Sequence, residues 1–186
     1  MINLVTGATG FVGSHLVEAL LLRGEQVRAL VRPTSQTRPL RDLGVDVRVG
    51  SLRDNATLVA AAQGVDRIFH CAALVSDWGD PAAFQEANVH GVRNVLAAAT
   101  RARVQRFIHL STSDVYGFPG RRVDETVDLS PRGFAYTDSK IEGENLVWSH
   151  HKRVGLPVCV IRPATVYGPR ASLLVGSVVE AIRRRR

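Results

Sequence analysis

The chain has 186 residues, 45% of them hydrophobic and 22% charged, enough for one domain with a sizeable core and too few for two ordinary ones. Four of its +7 formal charges fall on Arg183 to Arg186. The other arginines are scattered with no nucleic-acid motif beside them, so a solvated surface is expected and a nucleic-acid partner is not.

The chain opens as "MINLVT", without a basic stretch ahead of an apolar run, so no secretory leader is expected. Residues 2–6 (INLVT) read as a buried strand. Residues 11–24 (FVGSHLVEALLLRG) read as a helix closed by Gly24. Residues 26–32 and 45–50 are the second and third strands, and 56–64 is a helix again ended by glycine. Residues 66–73 are a fourth strand, and 82–102 a long helix with an internal glycine. A fifth strand spans 105–112, followed by a loop over 113–134 rich in Gly, Pro, Asp and Arg. Residues 135–155 are a helix with Gly155 at its end, 157–163 a sixth strand, and 172–186 a last helix. No apolar run approaches the roughly 20 residues of a membrane span. A cytoplasmic location is expected.

Strands alternating with helices imply an α/β fold, a doubly wound parallel sheet of about six strands with helices on both faces. Ligands on such sheets bind outside the carboxyl ends of the strands. The loops to inspect are therefore 7–13, 32–38, 50–54, 71–80, 111–118 and 163–170.

The first of these loops, "TGATGFVG", holds Gly7, Gly10 and Gly13 between a strand and a helix. Such glycines permit a tight turn, close approach of backbone to a pyrophosphate, and close helix–strand packing. At the tip of the second strand stands Arg32, with no Asp or Glu nearby. A carboxylate there would suit the ribose of NAD, and an arginine the 2′-phosphate of NADP, so NADP is expected ahead of NAD. The alternative is a solvated loop arginine.

In "YTDSK", one of only two lysines in the chain falls four residues after a tyrosine. On a helix, Tyr136 and Lys140 share a face. An ammonium near a phenol lowers the phenol's pKa and allows proton exchange with an alcohol or carbonyl. Alone, the pair reads equally well as a surface tyrosine beside a solvated lysine.

"TGATGFVG", "GSLRD", "HCAA", "ANVHGVRNVL", "STSDVYG", "YTDSKIEGE" and "RPATVYGPR" stand in this order. The chain resembles the extended short-chain dehydrogenase/reductase family, the NAD(P)-dependent epimerase/dehydratase group. That group also contains 3β-hydroxysteroid dehydrogenases and dihydroflavonol reductases. The match runs from residue 3 to about 170. The resemblance implies a Rossmann-like dinucleotide-binding domain, with Gly7, Thr9, Gly10, Phe11, Val12, Gly13, Arg32, Ser51, Leu52, Cys71, Ala72, Ala73 and Pro163 around the cofactor. It implies Tyr136 as acid/base, Lys140 as its pKa-lowering partner and ribose ligand, and Thr112 as the hydroxyl that holds the substrate oxygen. It also implies Asn88 as a structural asparagine, a small-molecule substrate, and a possible homodimer through 82–102 and 135–155.

Two positions depart from the family pattern. Ser51 replaces the aspartate that many relatives use on the adenine amine. Ser113 and Asp114 stand where sugar dehydratases carry Asp-Glu, which argues against dehydration. Relatives run on into a C-terminal substrate region that is expected to be absent here. The two functional classes are thus an oxidoreductase or epimerase working on a hydroxyl or carbonyl carbon, and a non-catalytic NADP(H)-binding module, sensor or inactive fragment.

Cys71 and Cys159 are expected to be small buried thiols. His15, His70 and His109 are expected in the core with satisfied partners. His150 and His151 are adjacent and point apart, so no metal site is expected. Trp78 is open between stacking on a ring and packing.

Overall fold

The computed structural model describes residues 1–117, 119–120, 122–171, 180 and 182–184. Its sheet grows outward from the first strand. β1 (Ile2–Thr6), β2 (Gln26–Val31), β3 (Asp46–Val49), β4 (Arg67–His70), β5 (Arg106–Leu110) and β6 (Val158–Ile161) are all parallel, in the order β3-β2-β1-β4-β5-β6. This is the doubly wound Rossmann order, and it reverses between β1 and β4. The crevice at that reversal is where a ligand belongs.

Helices cover both faces. On one, α1 (Phe11–Leu22) and α2 (Arg38–Asp42) lay Val17, Leu20 and Leu40 against Val5, Ala29 and Val31. On the other, α3 (Asn55–Ala62), α5 (Gly91–Ala102) and α6 (Ala135–Val154) bury Leu58, Leu96 and Val147 against Leu4, Ile68 and Phe107. The five residues of α2 lie in a stretch where no helix was expected. A helix that short shows no hydrophobic period.

The expected long helix is broken into three. α4 (Pro81–Gln85) begins at Asp80, whose carboxylate accepts from the Ala82 amide at 3.0 Å, with Pro81 in the first turn. A π-helical turn, Glu86–His90, follows, and α5 continues from it. A π turn carries an extra residue inside the helix and is frequent at functional sites. Over this turn α6 comes very close. A Cβ on Gly143 would fall inside contact distance of the Asn88 carbonyl oxygen.

Two expectations need correction. His15 is not a core residue: it lies half-exposed on α1, with its ring against the carbonyl of Pro169 at 3.0 Å. Cys159 is exposed, because it faces a side of β6 that the described helices do not cover, and Cys71 is half-buried. The last expected helix, 172–186, lies mostly outside the described residues.

Gly143→Ala should lower unfolding stability by about 1–3 kcal/mol, the usual cost of overpacking, because the obstacle is backbone rather than a side chain that can turn away. Urea unfolding followed by circular dichroism measures this.

Candidate active site

A groove of about 630 Å³ runs along the carboxyl ends of the central strands. Its floor is the β1–α1 turn. Gly7 has φ +72°, and a Cβ there would meet the Ala72 amide nitrogen at 2.7 Å. Only glycine permits both. Gly13 lets α1 close onto the same turn, since a Cβ there would strike the Gly7 carbonyl. Gly10 caps α1 with no side chain, and the first turn holds no acidic residue. The leading amides, from Phe11 to Gly13, are thus left for an anion. This floor fits a dinucleotide pyrophosphate.

Of the expected cofactor residues, Gly7, Thr9, Gly10, Arg32, Ser51, Leu52, Cys71, Ala72 and Ala73 line the groove. Phe11, Val12 and Gly13 form the adjoining helix start. Burial pushes the Cys71 thiol up to about 11 against the opposing influence of Lys140, so it serves as a small neutral wall. At the far end, the Ser51 hydroxyl accepts from the Arg53 amide at 3.2 Å. The Arg53 guanidinium reaches across the rim to Glu86, Nε to Oε1 at 2.9 Å. Ser35, Arg53 and Glu86 also line the groove. Ser35 and Arg53 lie in loops that topology had marked. Glu86 had no sequence signal, because the π turn that lifts it to the rim leaves none.

Asn88 sits on that turn, 2% exposed. Its carboxamide accepts from the Leu74 amide at 2.8 Å, donates to the Leu74 carbonyl at 3.0 Å and donates to the Ser139 hydroxyl at 3.0 Å. One side chain thus fastens the Cys71–Leu74 wall to α6.

Thr112 starts a 3₁₀ turn, Ser113–Tyr116, and its hydroxyl accepts from the Asp114 amide at 3.2 Å. The Tyr136 phenol of α6 comes close enough to feel this hydroxyl. Burial and the nearby Asp114 carboxylate raise the Tyr136 pKa, against the lowering influence of the Thr112 hydroxyl. Lys140 is not among the influences on the phenol. Its ammonium, 3% exposed, donates to the Leu110 carbonyl at 2.6 Å. Burial pushes its pKa down to about 8, against Glu144 and Cys71. The shared helix face is therefore present, while the expected lowering of the phenol's pKa by the lysine is not.

Behind this group, Glu144 is fully buried and takes Arg162 on both carboxylate oxygens, with the Trp148 indole at 3.2 Å. Arg162 also bonds the Tyr116 hydroxyl. The Pro163 carbonyl accepts from the Ser113 amide at 2.9 Å. The strand end, the 3₁₀ turn and α6 are thereby locked together. Trp78 stands 87% exposed on the loop after β4.

A family model, "NAD dependent epimerase/dehydratase family", matches residues 3–186. The chain belongs to the NAD-dependent epimerase/dehydratase family. It is 39% identical, over all of its length and 56% of the relative's, to a 4-hydroxy-2-methyl-3-oxo-4-farnesyl-3,4-dihydroquinoline-1-oxide ketoreductase of Stigmatella aurantiaca. It is 38% identical to sterol demethylase protein B of Methylococcus capsulatus, covering 97% of this chain and 57% of that one. The solved UDP-glucuronic acid 4-epimerase of Bacillus cereus in complex with NAD superposes with a TM-score of 0.87 at 30% identity, over 100% of this chain and 64% of that one. The chain spans a little over half the length of these curated relatives.

The two lysines give a direct check on the site. In lysine-labelled protein, the Lys140 ammonium should titrate near pH 8. A buried lysine whose folded pKa lies below its ordinary 10.5 binds fewer protons folded than unfolded. Its contribution to stability should therefore rise with pH between those two values. Unfolding measured across that range, against a Lys140→Met control, tests the sign.

Proposed function

We propose that this chain carries the dinucleotide-binding and proton-transfer machinery of an NAD(P)-dependent oxidoreductase or epimerase. Its substrate would be a small molecule reacting at a hydroxyl- or carbonyl-bearing carbon. The observation that carries this reading is the half-buried Tyr136 phenol near the Thr112 hydroxyl at the strand ends that flank the groove. A binding module without turnover has no need of that pair.

In this reading the amides of the glycine turn hold the pyrophosphate. Leu52 and Cys71 to Ala73 wall the nucleoside halves, Pro163 lies against the nicotinamide end, and Lys140 turns a donor to the ribose. When bound, the nicotinamide supplies or accepts a hydride at the substrate carbon. Thr112 orients the substrate oxygen within reach of Tyr136. The raised pKa keeps the phenol protonated near neutral pH, so Tyr136 is poised to donate its proton to an oxygen gaining negative charge. In the reverse direction it takes the proton back, helped by the Lys140 charge once that ammonium turns from Leu110.

Arg32 supports NADP as the preferred dinucleotide, with Ser35 beside it in the groove and no carboxylate at the strand tip. The solved relatives named with a dinucleotide carry NAD, which makes this preference the sharpest point to test. A homodimer through α5 and α6 belongs to the same proposal.

Tyr136→Phe should cut turnover of the native gene product by about 10²–10⁴-fold and leave dinucleotide affinity nearly intact. Full turnover in that variant would overturn the mechanism. Arg32→Asp should weaken NADPH binding about tenfold or more, the worth of a charge-assisted contact, and change NADH little. Equal affinity of the unaltered chain for both would overturn the NADP preference. Fluorescence titration reads both.

A further inference from the structure

The sheet end beneath α6 holds two imidazoles that the proposed chemistry does not use. His70 and His109 are register partners on β4 and β5, each 1% exposed. Their rings are nearly parallel, 19° apart, with centroids separated by 5.6 Å. His70 Nδ1 is paired with the Thr6 hydroxyl at 2.8 Å. His70 Nε2 and both nitrogens of His109 have no hydrogen-bond partner among the described residues. The expectation of satisfied core histidines is thus met only in part, and an unmet buried donor or acceptor is costly.

Lys140 reaches the end of the same strand β5 with the complementary deficit. Its ammonium has three N–H donors, and among the described residues one hydrogen bond, to the carbonyl of Leu110, the residue after His109. Burial first, and then the Lys140 charge, push His70 down to about 3 and His109 well below the ordinary histidine value. Both rings are therefore neutral near pH 7, each with one acceptor nitrogen and one N–H. The other groups acting on the ammonium are Cys71 at the end of β4 and Glu144 one turn along α6. Glu144 is already held by Arg162, so it offers the ammonium little further solvation.

We propose that an internal water site lies between the imidazoles of His70 and His109 and the ammonium of Lys140, and that the two histidines act through it as positioning residues for the lysine's charge. The water accepts from the ammonium and donates to an imidazole acceptor. The polar partners number the two to four that a buried water requires. The site concerns the charge of Lys140 and is independent of Tyr136 being the acid/base.

The test uses the 186-residue chain with labelled lysine and histidine. Lys140 and Lys152 are the only lysine signals, and Lys152→Arg assigns them. In the unaltered chain, the ring N–H of His109 should show a cross-peak to water, and both rings should be neutral near pH 7. In His109→Phe, which keeps a packed ring and removes the polar atoms, the Lys140 pKa should fall by about one further unit. In His109→Gln it should stay close to that of the unaltered chain. An unchanged Lys140 titration in folded His109→Phe would overturn the proposal. So would the absence of any water cross-peak on either ring in the unaltered chain, a result that does not depend on the variant folding.

Discussion

The two halves of the site are held in register by a single side chain, the carboxamide of Asn88. Its oxygen and nitrogen close a pair of hydrogen bonds with the backbone of Leu74, and its second N–H reaches Ser139 on α6. Leu74 ends the wall of the groove, and Ser139 precedes Lys140. Without this bridge the groove wall and α6 would lean more heavily on apolar packing, which is non-directional. The carboxamide is buried and fully engaged, so each bond it makes is also a cost if broken.

Burial governs the chemistry on the α6 side. It raises the Tyr136 phenol, lowers the Lys140 ammonium and neutralises two histidines. Glu144 and its partner Arg162 stay firmly charged. Burial pushes the Glu144 carboxyl up, but hydrogen bonds from Arg162 and Trp148 and the guanidinium charge outweigh that and hold it below the ordinary carboxylate value. A buried pair of this kind is a poor source of net stability and a good source of fixed geometry. Here it fixes the strand end beside the 3₁₀ turn that carries Thr112.

The six strands, the helices on both faces and the glycine turn were legible in the sequence, because each rests on a local pattern. Gly7 and Gly13 announce a close approach, and the apolar runs announce the strands. The groove wall at Cys71 to Ala73 was legible through its motif and through the rule that ligands sit at strand ends. What stayed hidden depends on contacts between distant residues. His15 lies on an apolar helix, but the loop at Pro169 and Arg170 draws it outward. Cys159 looks like core until the uncovered side of β6 is seen. The spacing of Tyr136 and Lys140 sets a shared face, but which carbonyl the ammonium finds is decided by β5. Glu86 reaches Arg53 only because the helix widens beneath it.

That widening has a consequence for how the protein can vary. The turn at Glu86–His90 accommodates one residue more than a regular helix would. Losing any one of these residues would let the segment relax into ordinary α-helix, with better backbone hydrogen bonds. The same deletion would swing Asn88 around the axis by about 100°, one residue's share of a turn, and carry Glu86 off the rim. The segment is thus locally imperfect for the benefit of the whole, and a change in its length would be read at the groove before it was felt in the fold.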